Sequence, residues 1–318
     1  MVDNPTPLSR VGPVLVIGAA GVDIVGSLKN HLRPGSSTPG QIHSSFGGVA
    51  RNVAENLAHL GQPVMLVTAI GEDEAGDRLL DGASSAGVDV SAVLRTSRYP
   101  TGTYLAIVDT AGELRFAIDD MRTTTELSPG YIRERVDLFR QASLLFIDAN
   151  IPKDTLRTIM SLAHKEHLPV CADPTSVLLA ERLRPYLQRL YLITPNSNEA
   201  AIYCDPEQMI SGRRQALEAA KHLVSQGVQI AIITLAGQGL CYATSETSGY
   251  IPALRTEVID PTGAGDALSA TVIFALINDV PLDDAVRLGV SAAFLTLRYR
   301  GAVVPDLSLE KLYDQMVI

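Results

Sequence analysis

Short aliphatic and β-branched runs alternate with amphipathic stretches along most of this chain. Val14–Ala19 reads as a strand, and Val49–Leu60 as a helix with apolar residues at 49, 53, 57 and 60. Val64–Ile70 is the next strand and Glu74–Ala86 the next helix. The alternation returns as strand Leu144–Asp148 with helix Lys153–His164, then strand Val170–Asp173 with helix Val177–Leu183. Strand Leu190–Thr194, a short helix near Glu199, helix Gln215–Gln226 and strand Ile230–Leu235 continue it. Strands apolar throughout are buried on both faces, and a βα rhythm implies a parallel sheet with helices on each side. The expected fold is a three-layer α/β/α sandwich around a mostly parallel central sheet.

Two stretches break the rhythm. Residues 24–46 have no helical period and carry Pro34, Gly35, Pro39 and Gly40 among small polar residues. Thr101–Ile118 alternates around Asp109–Gly112, as a β-hairpin does. Together, as segments 24–46 and 99–121, they predict a small antiparallel sheet projecting from the main layer. Gly239–Thr244 and Gly249–Leu254 predict a second hairpin adding edge strands. A further strand is expected around Glu257–Ile259, before the apolar helical run Ala267–Ile277. Neither repeats nor a low-complexity linker interrupt the chain, so residues 1–318 are expected to form one domain.

Composition narrows the function. At 318 residues and 46% hydrophobic, the chain has ample material for a core, and disorder is excluded. Lys+Arg 26 against Asp+Glu 35 gives a net charge of −9, and no basic cluster offsets it. Such a chain is a poor match for a phosphate backbone or an anionic membrane, so neither nucleic acid nor membrane is an expected partner. Cys171, Cys204 and Cys241 lie far apart with no CxxC pair. They predict no disulfide framework and no zinc knuckle, and a cytoplasmic setting is expected. No apolar run approaches the roughly 18–20 residues that span a bilayer.

Chemistry concentrates at glycine-rich strand ends. There is no GxxxxGK[ST], GxSxG or HExxH, and Gly18, Gly21 and Gly26 do not space as GxGxxG. The run Asp260-Pro-Thr-Gly-Ala-Gly-Asp266 opens the apolar helix. Gly263, Ala264 and Gly265 let backbone N–H groups point outward at a helix N-terminus, which makes an anion hole. Asp266, in the first turn, can take a proton from a hydroxyl beside that anion. Read alone, the same run is equally a turn with a capping Asp. Gly47 and Gly48 open the first long helix and can admit a ligand to the backbone, with Asn52 one turn in. Asp23, just after the first strand, can accept from vicinal hydroxyls. Asn196 and Glu199 place an amide and a carboxylate on one helix face, an oxygen set suited to hydrated Mg²⁺. Thr234, Gly237 and Gly239 form a strand-to-turn motif that can contact a nucleotide. Each of these taken singly is also a plausible cap or turn.

Order and spacing together resemble the PfkB (ribokinase-like) carbohydrate kinase family over essentially the whole chain. The resemblance is carried by GGVARNVAENLAHLG (47–61) and DPTGAGDALSATVIFAL (260–276), with NxxE and TLxGxG elements between them. It implies a ribokinase-like fold with segments 24–46 and 99–121 as a lid over the substrate. It implies ATP and Mg²⁺ as cofactors and transfer of the γ-phosphoryl group to a ribosyl 5′-hydroxyl. Asp266 would be the base and Gly263, Ala264 and Gly265 the anion hole. Asp23, Gly47, Gly48, Asn52, Asp120, Met121 and Asp148 would lie on the substrate side. Asn196, Thr234, Gly237 and Gly239 would serve the nucleotide and Glu199 the Mg²⁺, through water. Asp260, Thr262 and Gly301 match positions that line a monovalent-cation (K⁺) site in many members.

Finer features resemble the pseudouridine-phosphorylating branch of that family: Pro39–Ile42, Arg51 before Asn52, Ala117–Met121, Ala172–Pro174 and Pro305–Ser308. Asp119 stands where that branch has an amide, and Asp119, Asp120 and the backbone near Met121 are the offered acceptors for a base N–H. Another nucleoside, a free sugar such as ribose, or an inactive nucleoside-binding regulator are the competing expectations, and a non-kinase α/β binding or redox protein is a further one. Exposed lid strands are expected to find cover in a homodimer.

Overall fold

Alternate residues of a single short strand feed two different hydrophobic cores. In β1 (Val14–Ile17), Val14 and Val16 join one cluster, Leu15 and Ile17 the other, and all four are fully buried. This is the period-2 geometry of a strand covered on both faces. The structure, a computed structural model, describes residues 8, 10–32, 35–110, 114–204 and 209–316. Pro34, residues 111–113 of the expected hairpin turn and residues 1–7 lie outside the described residues.

β1 pairs in parallel with β4 (Val64–Val67) on one side and β9 (Leu144–Asp148) on the other. β10 (Val170–Asp173), β11 (Leu192–Ile193) and β12 (Ile230–Thr234) continue the parallel run. β13 (Leu240–Ala243) and β14 (Ser248–Ile251) close that edge antiparallel. The order β14-β13-β12-β11-β10-β9-β1-β4 reverses direction at β1, where chain connections leave to opposite sides. A crevice at the carboxyl ends of such strands is where open α/β sheets bind ligands.

Helices cover both faces. On the Leu15/Ile17 side pack α3 (Pro129–Arg133), α4 (Val136–Gln141), α5 (Lys153–Lys165), α6 (Val177–Ala180), α7 (Ser197–Tyr203) and α8 (Arg213–Ser225). On the Val14/Val16 side pack α1 (Val49–His59), α2 (Glu74–Ser85), α9 (Ala264–Ile277) and α10 (Leu282–Leu297). α9 is apolar all round because it is covered on both sides. Leu268, Val272 and Ile273 face the sheet, while Ala267 and Ala275 join a third cluster with α10 and α11 (Leu309–Gln315). The α10 and α11 segments were not expected from the sequence.

The projecting sheet is real but not wholly antiparallel. Its order is β3 (Gly40–Gly47), β2 (Gly21–Leu28), β7 (Gly102–Val108), β8 (Leu114–Asp120). Each hairpin is antiparallel, yet β2 and β7 pair in parallel because both leave the body at the same end. Register puts Asp23, Tyr104 and Asp119 on one face. Val22, Ile24, Leu105 and Ile118 belong to the other.

Other expectations shift locally. Val64–Ile70 breaks at Thr68 into β4 and β5 (Ala69–Gly71), the latter pairing in parallel with β6 (Leu94–Thr96). Glu257–Ile259 forms no strand and is exposed. Pro252 follows β14 directly and has no N–H with which to continue a ladder. The three cysteines are free thiols. Among the described residues no helix is long and apolar enough to cross a membrane.

Candidate active site

The start of α1 is built around two carboxylates. Gly48 precedes the helix and supplies no side-chain cap. Asp148, from the end of β9, does so instead: its Oδ2 accepts from Ala50 N at 3.1 Å and Ala19 N at 2.8 Å. Its Oδ1 accepts from Asn150 N and Nδ2 at 2.9 and 3.1 Å. Asp148 is 0% exposed and burial raises its carboxyl above the ordinary range. With both oxygens occupied and no surface, it joins β1, β9 and α1 and is not placed to touch a substrate, contrary to the sequence expectation. Gly47 has a different reason from ligand access. A Cβ there would lie 2.2 Å from Asp23 Oδ2, so only glycine leaves room for that carboxylate. Burial lifts Asp23 to about 6, partly offset by Arg51 and reinforced by Asp260.

The start of α9 meets the same spot from the other direction. Gly263 has φ +78°, and a Cβ there would sit 2.0 Å from the Ala302 carbonyl oxygen. The N–H groups of Ala264, Gly265 and Asp266 have no intrahelical acceptor, as in any first turn, and the dipole favours an anion there. Asp266, 9% exposed, receives Asn52 Nδ2 on its Oδ2 at 2.6 Å. Burial pushes Asp266 up to about 7, while the Asn52 hydrogen bond and Arg51 draw it down and Asp148 and Asp23 push it up. A carboxylate poised near neutrality beside a helix N-terminus can take up a proton.

Neighbouring strand ends carry the third part. Asn196 caps α7, its Oδ1 accepting from Asn198 N and Glu199 N, while Glu199 Oε2 accepts from Asn196 N at 2.9 Å. Thr234, at the end of β12, bridges to Asn196. Gly239 follows with φ +93°, and the Gly237 Cβ position faces open space. Asp173, which the sequence reading did not single out as a site residue, sits at the end of β10 with Thr175 N on its Oδ1 at 2.7 Å. Burial raises its carboxyl well above the ordinary range, with Glu199, Asp266 and Asp148 adding repulsion. Its advance signals are its position, a carboxylate at the carboxyl end of a buried strand, and its place in the Ala172–Pro174 run. Thr194 Oγ1 also donates to Asp173 Oδ2 at 3.4 Å, and this cluster of buried carboxylates suits a hard divalent cation. Among the described residues no group of three or more His, Cys, Asp or Glu could cage one, so such an ion would keep waters and phosphate oxygens.

Asp260, Thr262 and Gly301 do come together. Asp260 Oδ1 accepts from Thr262 N at 2.9 Å and Oδ2 from Gly301 N at 3.2 Å, and His43 Nε2 from β3 stands 3.9 Å away. Each carboxylate oxygen keeps a lone pair, which fits a monovalent cation held by oxygen atoms.

Asp120 does not reach this cluster. Arg122 grips it in a fork, Nε to Oδ1 at 2.8 Å and Nη2 to Oδ2 at 2.6 Å, and holds its carboxyl below the ordinary range. Its register also points it to the face opposite Asp23. Asp119 has the face that Asp120 was expected to have: burial raises the Tyr104 hydroxyl, and Asp23 and Asp119 raise it further. Met121 packs at the root of the sheet, where its sulfur and methyl crowd Gly102 and Gly21. A cleft of about 790 Å³ lies beside the opposite, apolar face, lined by Val22, Ile24, Phe46, Arg51, Arg78 and Arg300 among others, and it includes neither Asp23 nor Asp266. The reactive groups converge at the strand ends rather than in that volume.

Comparison with known proteins agrees in both sequence and fold. The model of the pfkB family carbohydrate kinase matches residues 13–308. A pseudouridine kinase of Escherichia coli (strain K12) is 31% identical over 297 residues, covering 93% of this chain and 94% of that protein. A ribokinase of Haemophilus influenzae is 26% identical over 90% of this chain and 92% of that one. The solved Arabidopsis thaliana ribokinase complexed with ribose and ATP superposes with a TM-score of 0.85 at 19% identity, covering 97% of this chain and 100% of that one. The fold is ribokinase-like.

Proposed function

This chain belongs to the pfkB family of carbohydrate kinases, which phosphorylate an alcohol group, and from that premise we propose that it moves the γ-phosphoryl group of ATP to the 5′-hydroxyl of a ribosyl substrate. The substrate class we propose is a nucleoside, with pseudouridine first. The observation that carries the reading is the Asp266 carboxylate, raised to about 7 and held by Asn52 in the first turn of α9.

The chemistry asks little covalent work of the protein. Asp266 receives the hydroxyl proton as the oxygen attacks phosphorus. The N–H groups of Ala264, Gly265 and Asp266 stabilise negative charge on the transferring group. Asp23 and the remaining Asn52 N–H hold sugar hydroxyls, and Gly48, whose Cβ position lies 2.5 Å from the Ala19 carbonyl oxygen, lets α1 start against the Ala19–Ala20 backbone beside them. Thr234, Gly237 and Gly239 bind the nucleotide beside Asn196. Glu199, with Asp173 beside it, would hold Mg²⁺ through water, and the ion would supply charge neutralisation between phosphates. Asp260, Thr262 and Gly301 would hold a monovalent cation such as K⁺ next to the anion hole.

We propose further that the chain acts as one kinase domain, with the four-stranded sheet as lid. Ile42, Phe116 and Ile118, exposed at 78%, 60% and 66%, make its outer side apolar, which a second copy would cover. ADP release from a panel of pseudouridine, uridine, other nucleosides and ribose tests the function. Pseudouridine should give the highest kcat/KM; a free sugar in first place would overturn the substrate, and no ADP with any acceptor would overturn the kinase.

A further inference from the structure

We infer that Arg51 is a positioning residue for the proton-accepting carboxylate: its guanidinium fixes which way the Asn52 amide points, and that amide holds Asp266. The inference rests on the kinase reading given above. Arg51 is 3% exposed, and all three of its nitrogens are engaged. Nε donates to the Gly47 carbonyl at 3.0 Å, and Nη2 to the Phe46 carbonyl at 2.9 Å and to Asn52 Oδ1. Nη1 meets Glu55 Oε2 at 2.6 Å, one turn along α1.

Chemistry makes the arrangement one-way. A guanidinium only donates, so Asn52 must offer it the carbonyl oxygen, and its NH₂ is left for Asp266. The Asn52 Nδ2 to Asp266 Oδ2 hydrogen bond follows, at 2.6 Å. A reversed amide would aim an acceptor at a carboxylate and a donor at a cation. Arg51 thereby settles the polarity of the amide toward the substrate as well: Asn52 has one N–H left to give and acts there as a donor. The two carbonyls that Arg51 grips belong to the end of β3, so the same side chain ties the projecting sheet to the base. It is also the cation that opposes the burial of both Asp266 and Asp23. Arg51 and Glu55 line the cleft on the far side, so this chain of contacts forms the wall between cleft and site.

The test is a titration of ¹³C-labelled aspartate carboxyls by NMR in wild type, Arg51→Met and Arg51→Lys, with Asp266→Asn assigning the Asp266 line. Losing the cation should move the Asp266 midpoint up by about one pH unit in Arg51→Met, the low end for an opposite charge nearby. Lysine restores the charge but not the fork, so Arg51→Lys should recover most of the midpoint yet keep KM for the nucleoside raised, by roughly tenfold for one lost orienting hydrogen bond. Asp266 titrations that superimpose on wild type in both variants, with KM unchanged and only the melting temperature lowered, would reduce Arg51 to a brace. Should Arg51→Met not fold, Arg51→Lys still decides through KM. Failure of the kinase reading is separate: wild type would release no ADP, while the NMR titration would still report on Arg51.

Discussion

Asn52 and Asp266 stand 214 residues apart in the chain and share a 2.6 Å hydrogen bond, amide Nδ2 to carboxylate Oδ2. The bond joins the first turn of α1 to the first turn of α9, and each helix begins at a glycine pressed against other backbone or side-chain atoms. One contact therefore reports on how both glycine motifs are seated.

Asp266→Asn should leave nucleotide binding intact and slow phosphoryl transfer by about 10²–10⁴-fold, the usual worth of a general base. In wild type, kcat/KM should fall as pH drops through about 7, where Asp266 becomes protonated. ADP release across pH checks both. Near wild-type turnover in the variant would leave Asp266 a helix cap.

Stability should move the other way. A carboxyl raised from 3.8 to about 7 in the folded state contributes stability that is whole below its unfolded pKa and is lost as pH rises through about 7. Asp266→Asn escapes that loss. It should be more stable than wild type at pH 8, by at most about 4 kcal/mol of unfolding free energy at roughly 1.4 kcal/mol per unit, with the advantage shrinking toward pH 4. Calorimetry showing a constant difference across pH would contradict this.

Glu199→Gln keeps an oxygen able to accept from Asn196 N, so α7 should still be capped. Without the charge, the Mg²⁺ concentration for half-maximal rate should rise several-fold while the ATP-independent fold is unchanged. An identical Mg²⁺ titration would remove Glu199 from the ion's surroundings.

Asp119 and Asp120 differ by one residue and should differ in effect. Asp119→Ala, on the Asp23 face, should narrow the preference for pseudouridine over uridine by about 2–10-fold, the net worth of one hydrogen bond at about 0.5–1.5 kcal/mol. Asp120→Ala should leave that ratio alone, its carboxylate being held by Arg122 on the other face. Equal loss in both variants would place the base elsewhere.

Ile118→Glu puts a charge into the exposed apolar side of the projecting sheet. Sedimentation velocity should find wild type as a dimer and the variant as a monomer. A monomeric wild type would leave that face without the partner proposed for it.

Periodicity made the central sheet legible, since strands such as β1 and β9 are buried on both faces and read as unbroken apolar runs. The meeting of Asn52 and Asp266 was legible too, because both motifs open helices after strands. The parallel pairing of β2 with β7 was not: partners some 80 residues apart leave no local trace. Asp120 was preferred over Asp119 because only register, set by pairing with β7, decides which face a residue takes, and a slip of one reverses it. Asp148 looked like a ligand for want of any sign that Ala19 N and Ala50 N converge on it.

Because β2 and β7 run the same way, the four strands of the projecting sheet are all rooted at one end, at the row Val22, Phe46, Thr103 and Asp120 beside Gly21 and Gly102, and among the described residues no strand pairing ties their far ends to the central sheet. Mechanically this is a cantilever with its fulcrum at two glycines wedged by Met121. Eight residues of strand reach about 26 Å, so a tilt of about 10° at that row sweeps the tips through roughly 4–5 Å. Asp23 lies two residues from the fulcrum and scarcely moves, whereas Gly40 and Leu28 travel the full arc. A tilt of that kind would widen the space at the tips while Asp23, the carboxylate proposed to hold the sugar, stays nearly where it is.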